Sequence, residues 1–157
     1  YYDINDFIFL QRSGEVVDGL LEGDYTQGDS RFVGTEFRFD AALHEKLWLK
    51  LGLDLVDAEL TDLNQSLPRI PPLRGRVGLD FRHRGLSLRP ELVMADRQDE
   101  LALEETPTAG YTVLNLKASY TIPRQHFLHQ FSLEFFNVGD RLYRNHVSFI
   151  KDLAPLR

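Results

Sequence analysis

The sequence predicts an all-β fold, an antiparallel segment of a transmembrane β-barrel. Three observations carry that expectation. Apolar and polar residues alternate in stretch after stretch between Asp24 and Asn137. The connections alternate short and long, the plan of a barrel with tight turns on one side of a membrane and long loops on the other. The polar rows are also heavily charged, so one face of the sheet must stay wet.

Each element follows from its period of two. A first strand over residues 2–10 precedes a loop carrying Gly14, Glu15, Asp18, Gly19, Glu22 and Gly23. The second, over 24–42, sets Val33, Thr35, Phe37, Phe39 and Ala41 against Gly34, Glu36, Arg38 and Asp40. After a turn at His44-Glu45-Lys46, a third strand over 47–60 alternates Leu49, Leu51, Leu53 and Leu55 with Lys50, Gly52 and Asp54. A proline-containing loop, 61–72, leads to the fourth, over 73–82, with Val77, Leu79 and Phe81 opposite Arg76, Gly78, Asp80 and Arg82. The short turn His83-Arg84-Gly85 suits a hairpin.

The fifth strand, over 86–98, sets Leu86, Leu88, Leu92 and Met94 against Ser87, Arg89, Glu91 and Ala95. Pro90 lies inside it and cannot donate a ladder hydrogen bond, so a bulge is expected there. Loop 99–109 leads to the sixth strand, over 110–122, with Leu114, Leu116, Ala118, Tyr120 and Ile122 on one face. A turn at Pro123-Arg124-Gln125 opens the seventh, over 127–136, and a long loop begins at Asn137-Val138-Gly139-Asp140.

Composition narrows the class. The chain has 157 residues, 27% of them charged. No run approaches the ~18 apolar residues of a membrane-spanning helix. A barrel remains open, because only alternate residues of each strand face lipid. Cysteine is absent and the net charge is −6, which removes disulfides and thiolate metal sites and disfavours nucleic acid as a partner. No signal peptide opens the chain, so Tyr1 is expected to be an internal residue of a longer protein.

Arg38, Asp54, Arg76, Asp80, Arg89, Glu91, Lys117 and Glu134 fall on one side of the sheet. In a large membrane barrel they line a wet lumen while the apolar row meets lipid. The aromatics Phe39, Phe81, Tyr120 and Phe131 share the apolar parity near the short-turn ends, as an interfacial girdle does. The competing arrangement is a soluble, lipocalin-like β-barrel with the apolar row inward, binding a small apolar ligand. The two invert the facing of Leu51, Leu79, Leu92, Leu114 and Leu133.

Several segments resemble one family. Glu104-Glu105-Thr106-Pro107-Thr108-Ala109-Gly110-Tyr111-Thr112-Val113-Leu114-Asn115 is similar to a late barrel strand of TonB-dependent outer-membrane receptors. Phe136-Asn137-Val138-Gly139-Asp140-Arg141-Leu142-Tyr143 resembles the segment near the end of those barrels. The continuation from Arg144 through His146 and Lys151 to Pro155 is similar to a branch of zinc and other metal receptors. Tyr2-Asp3-Ile4-Asn5-Asp6-Phe7-Ile8 and Gly34-Thr35-Glu36 fit as well.

The resemblance implies a barrel of about 22 strands, of which residues 1–157 form a C-terminal part of about seven, with the plug domain, TonB box and final strand outside it. It implies TonB-dependent uptake across the bacterial outer membrane of a scarce nutrient: a metal ion, metal-siderophore, haem or cobalamin. The implied partners are the TonB complex, acting through the plug, a metal or metal-chelate substrate, and outer-membrane lipid. No cofactor is expected.

Catalytic and metal motifs are thin. His44-Glu45 begins like a zinc-protease motif, but Trp48 stands where the second histidine belongs, and no helix is present to carry it. His44, His83, His126 and His129 fall at short turns. His146, with Arg144 beside it, lies in the last long loop and is the histidine placed to meet an external ligand. One imidazole makes no zinc site. Ser87, Ser119, Ser132 and Ser148 lack a nucleophile-elbow context, so a hydrolase would require a Ser–His pair in hydrogen-bond reach. The charged row is open to three roles: contact with a plug, solvation of the lumen, or substrate passage.

Overall fold

The computed structural model describes residues 1–153, apart from the side chain of Leu21. Residues 154–157, including the end of the segment whose resemblance runs to Pro155, lie outside the described residues. Strands β1 (Tyr2–Val17), β2 (Leu20–His44), β3 (Leu47–Leu60), β4 (Gln65–Ser66), β5 (Arg74–His83), β6 (Leu86–Ala95), β7 (Tyr111–Pro123) and β8 (Leu128–Phe135) form one sheet. Its order is β1-β2-β3-β5-β6-β7-β8, with β4 beside β3, and every pairing is antiparallel. The seven expected strands are present, and β4 is a short addition inside loop 61–72.

Lengths sort the strands. A tilted barrel strand crosses a bilayer in ~9–11 residues. β5 and β6, at 10 residues each, fit one crossing. β2 has 25 residues, roughly 80 Å at the usual rise, so much of the β1–β2 hairpin stands beyond the sheet's long-loop end. The loop expected around Gly14–Gly23 is instead this hairpin, closed by Asp18 and Gly19 at φ 53° and 82°. Positive φ at both central residues is the two-residue turn that Asp-Gly favours, and its twist matches the flanking strands. Ladder pairs Val16↔Leu21 and Val17↔Leu20 continue to the tip, past a register shift between Arg12 and Val16.

Pro90 also departs from expectation. Pairing of β6 with β7 runs unbroken from Leu86 to Ala95, with Pro90 opposite Leu116, so no bulge forms. The missing donor instead falls on the β5 side, where the ladder skips the positions between Gly78↔Glu91 and Phe81↔Leu88 without changing register. An antiparallel strand can lose one such pair and keep its alternation.

The register aligns the rows across strands. Leu51 pairs with Val77, Val77 with Leu92, and Leu92 with Leu114; Ala118 then meets Leu133. Leu79, Leu92 and Leu114 lie in interior strands, yet each remains 38–40% exposed. Among the described residues nothing covers this face. A lipocalin-like interior would bury it, so the inverted arrangement is ruled out.

The opposite face changes character along its length. Its short-turn half carries the charges. Its long-loop half carries Phe32, Ala58, Leu60, Ala95 and Val113 at the same parity, and Ala58, Leu60, Ala95 and Val113 are buried. Loops 61–73, 96–110 and 136–153 fold inward over that half. Leu67 joins Phe9, Ala58 and Leu60 in the main core, flanked by Phe7, Phe32 and Ile70. Tyr143 lies 4.2 Å, centroid to centroid, from Tyr111.

Candidate functional site: a charged wall beneath a clamped loop cap

Alternation alone brings the predicted wall residues together. Arg38, Arg76, Asp80, Arg89, Glu91 and Lys117 line one groove of about 470 Å³. Asp54 joins them through Arg76 Nη2 at 3.6 Å, and Glu134 through Lys117 Nζ at 3.4 Å. Asp80 is the anchor. It is 1% exposed and accepts from Arg82 Nη2 at 2.6 Å, with Arg89 Nε at 3.3 Å. The cross-strand position of Arg89 beside Asp80 follows from the β5–β6 register around Pro90. A carboxylate so enclosed needs both cations, because an isolated buried charge is costly.

The second cluster holds the cap. His146 is 2% exposed, not at a loop surface, whereas Arg144 beside it is exposed. His146 Nδ1 meets Thr108 Oγ1 at 3.0 Å and Lys151 Nζ at 3.4 Å. An ammonium only donates, so Nδ1 accepts from it, and a neutral ring carries its proton on Nε2. Nε2 approaches Glu105 Oε1 at 3.2 Å, but it lacks an aligned hydrogen bond, so this contact is electrostatic.

Glu105 connects three loops. Its carboxylate accepts from the Arg69 N–H at 3.0 Å in loop 61–73 and from the Ala102 N–H at 3.3 Å in its own loop. Lys151 Nζ in the last loop stands 3.4 Å away and also donates to the Thr106 carbonyl at 2.7 Å. Burial raises the Glu105 carboxyl pKa, but His146, Lys151 and those two backbone N–H groups outweigh it and hold it at about 2. Burial lowers the Lys151 ammonium, and Glu105 counters that. At neutral pH this is a buried ion pair fully supplied with partners.

Hydroxyl, imidazole and carboxylate in series resemble a nucleophilic relay. Here the series is closed to substrate. Thr108 is 6% exposed, and the adjoining crevice holds about 10 Å³, no more than a water. Among the described residues no serine hydroxyl is hydrogen-bonded to a histidine. The cluster is a clamp.

Sequence reasoning missed Glu105, Thr108, Lys151 and the outlying Arg12–Asp152 pair. They lie in loops or at a bulge, where no period marks a facing, and their meeting depends on how three loops fold together.

Comparisons with known proteins agree with this architecture. Residues 1–138 match the family described as TonB dependent receptor-like, beta-barrel. Among solved structures, the chain is similar to the copper transporter OprC (TM-score 0.82, 21% identity), with 93% of this chain and 23% of that one covered. It is also similar to BauA, the ferric preacinetobactin receptor from Acinetobacter baumannii (TM-score 0.64, 20% identity), covering 97% and 23%. The chain therefore spans about a quarter of the length of either. No curated protein sequence matches it. With 138 of its residues matching the family and its fold shared with a copper transporter and a ferric preacinetobactin receptor, this chain belongs to the TonB-dependent receptor β-barrels.

Proposed function

We propose that this chain is a wall and loop segment, in the C-terminal part, of a longer outer-membrane receptor that takes up a scarce nutrient using energy relayed by TonB. The observation that carries this reading is the family match over residues 1–138 on a sheet whose apolar face is uncovered in its interior strands. On this reading the apolar row meets outer-membrane lipid. The short turns face the periplasm and the clamped loops face the cell surface. The row from Arg38 to Glu134 lines the lumen and contacts the plug, the domain through which TonB acts. Its ion pairs can exchange partners as a plug moves, which a dry apolar contact would resist.

The substrate class is a metal ion or metal chelate. In support, one structural relative is a copper transporter and the other a ferric preacinetobactin receptor. Arg144, exposed beside the clamp, is the loop cation assigned to ligand contact. His146 serves that contact by fixing the loop. The family is one of receptors, and catalysis forms no part of the proposal.

The test is topological and functional at once. In the full-length receptor in membranes, Leu114→Cys should react with a lipid-phase probe and Lys117→Cys with an aqueous maleimide. Growth on limiting metal should depend on both the receptor and TonB. Reversed labelling, or growth indifferent to TonB, would overturn the reading.

A further inference from the structure

A cavity of about 330 Å³ lies between the β1–β2 hairpin and the loop cap, separate from the charged groove. Phe9, Leu10, Leu60, Leu103 and Phe149 give it apolar walls. Most of its charged lining is spoken for. Glu105 holds Lys151, and Asp152 holds Arg12 while accepting from Thr106. Glu22 also lines the cavity and is exposed.

Arg69 is different. Its guanidinium lies 3.7 Å from the centroid of the Phe149 ring, and no carboxylate stands within 4 Å of it among the described residues. Burial lowers its pKa, Glu105 attracts it only from farther away, and Arg12 repels it. Its backbone sits at φ 60°, a left-handed conformation unfavourable to arginine, held there by the N–H bond to Glu105. Strain retained around a half-buried cation with no carboxylate in contact points to a preorganised binding group. A guanidinium with one face on an aromatic ring still offers its edge to a carboxylate, bidentately.

We propose that this cavity binds a small amphipathic anion, its planar apolar body against Phe9, Leu60 and Leu103 and its single carboxylate on the Arg69 guanidinium. The volume falls at the small end of ligand sites, which suits a fused-ring acid. The inference rests on the receptor reading only for which side of the membrane the cavity faces.

Naphthalene-2-carboxylate is the probe, with naphthalene-2-methanol as its uncharged counterpart, titrated against the full-length receptor in detergent. The acid should bind at least tenfold more tightly than the alcohol. Arg69→Gln should bring the acid down to the alcohol's level, and Leu103→Trp, which fills the cavity, should weaken both. Heat-modifiable gel mobility verifies that each variant is folded, and should Arg69→Gln fail to fold, the Leu103→Trp arm and the acid-to-alcohol ratio decide. Equal binding of acid and alcohol, or acid binding untouched by either folded variant, overturns the site. Loss of TonB-dependent uptake with Arg69-dependent binding intact would sink the receptor reading alone. Intact uptake without such binding would sink this site alone.

Discussion

The Arg12 guanidinium and the Asp152 carboxylate meet at 3.1 Å across 140 residues of chain. Arg12 lies on β1 and Asp152 in the loop that follows β8, at opposite edges of the sheet. Arg12 also donates to the Glu104 carbonyl at 3.3 Å, so one side chain ties the projecting hairpin to two loops of the cap. Both partners are a quarter exposed, which limits the pair to about 1 kcal/mol. Arg12→Ala should therefore leave the strands unchanged and speed amide exchange over residues 145–153 by about fivefold. Equal speeding in β5 and β6 would mean that the pair supports the whole sheet and not the cap.

Glu105 and Lys151 should behave as a buried pair. Glu105→Gln removes the negative charge and leaves the ammonium of Lys151, itself 3% exposed, without a counterion. Breaking such a pair from one side costs ~3–5 kcal/mol. The expected result is cap opening, read as lost exchange protection at the Arg69 and Ala102 amides that bond the carboxylate. Adding Lys151→Met should restore much of that protection, because it removes the stranded charge. A double variant as open as the single one would show that the carboxylate acts through its backbone bonds alone.

The same group gives the cap an acid limit. The Glu105 carboxyl moves from an ordinary 4.5 to about 2 in the folded chain. A depressed carboxyl contributes stability that is fully present above its unfolded value and is lost as pH falls through its folded value. At ~1.4 kcal/mol per unit, the cap loses about 3 kcal/mol between pH 4.5 and 2. Protease cleavage within residues 136–153, measured with an acid-active protease, should rise steeply over that window. In Glu105→Gln the rise should be absent.

How far the fold could be read in advance follows from where periodicity operates. Within the strands between Val33 and Leu133 apolar and polar residues alternate, so a period of two fixes each strand and which residues share a face, and the register aligns those rows across the sheet. The β1–β2 hairpin escaped because Gly14, Glu15, Glu22 and Gly23 have loop composition, while the ladder needs only their backbone. Asp18-Gly19 was the one local signal that the chain turns there in two residues. The inward-folded loops were beyond reach for another reason. Phe32, Ala58 and Leu60 have the parity of the wet face, and only the cap above them explains why they are apolar. His146 looked accessible because it sits in a long loop; its burial depends on Glu105 and Lys151, 41 residues upstream and five downstream in the chain.

The turn between β5 and β6 offers a test of the short-turn end. Arg84 and Gly85 both take positive φ, at 47° and 84°, closing the hairpin that aligns Asp80 with Arg89. The Gly85 carbonyl accepts from the Thr121 N–H at 2.9 Å, which draws the turn against β7. A Cβ at Gly85 would collide with the Thr121 carbonyl oxygen. Gly85→Ala thus combines a left-handed backbone penalty of ~1–2 kcal/mol with loss of that contact. Arg84 already carries a Cβ in that conformation, so Arg84→Ala changes neither the backbone penalty nor the contact with Thr121 and serves as the control. Urea unfolding of the receptor in lipid vesicles should rank Gly85→Ala as clearly less stable than Arg84→Ala. If the two are equal, the turn is free to leave β7, and the Asp80–Arg89 alignment depends on the ladder and not on the hairpin.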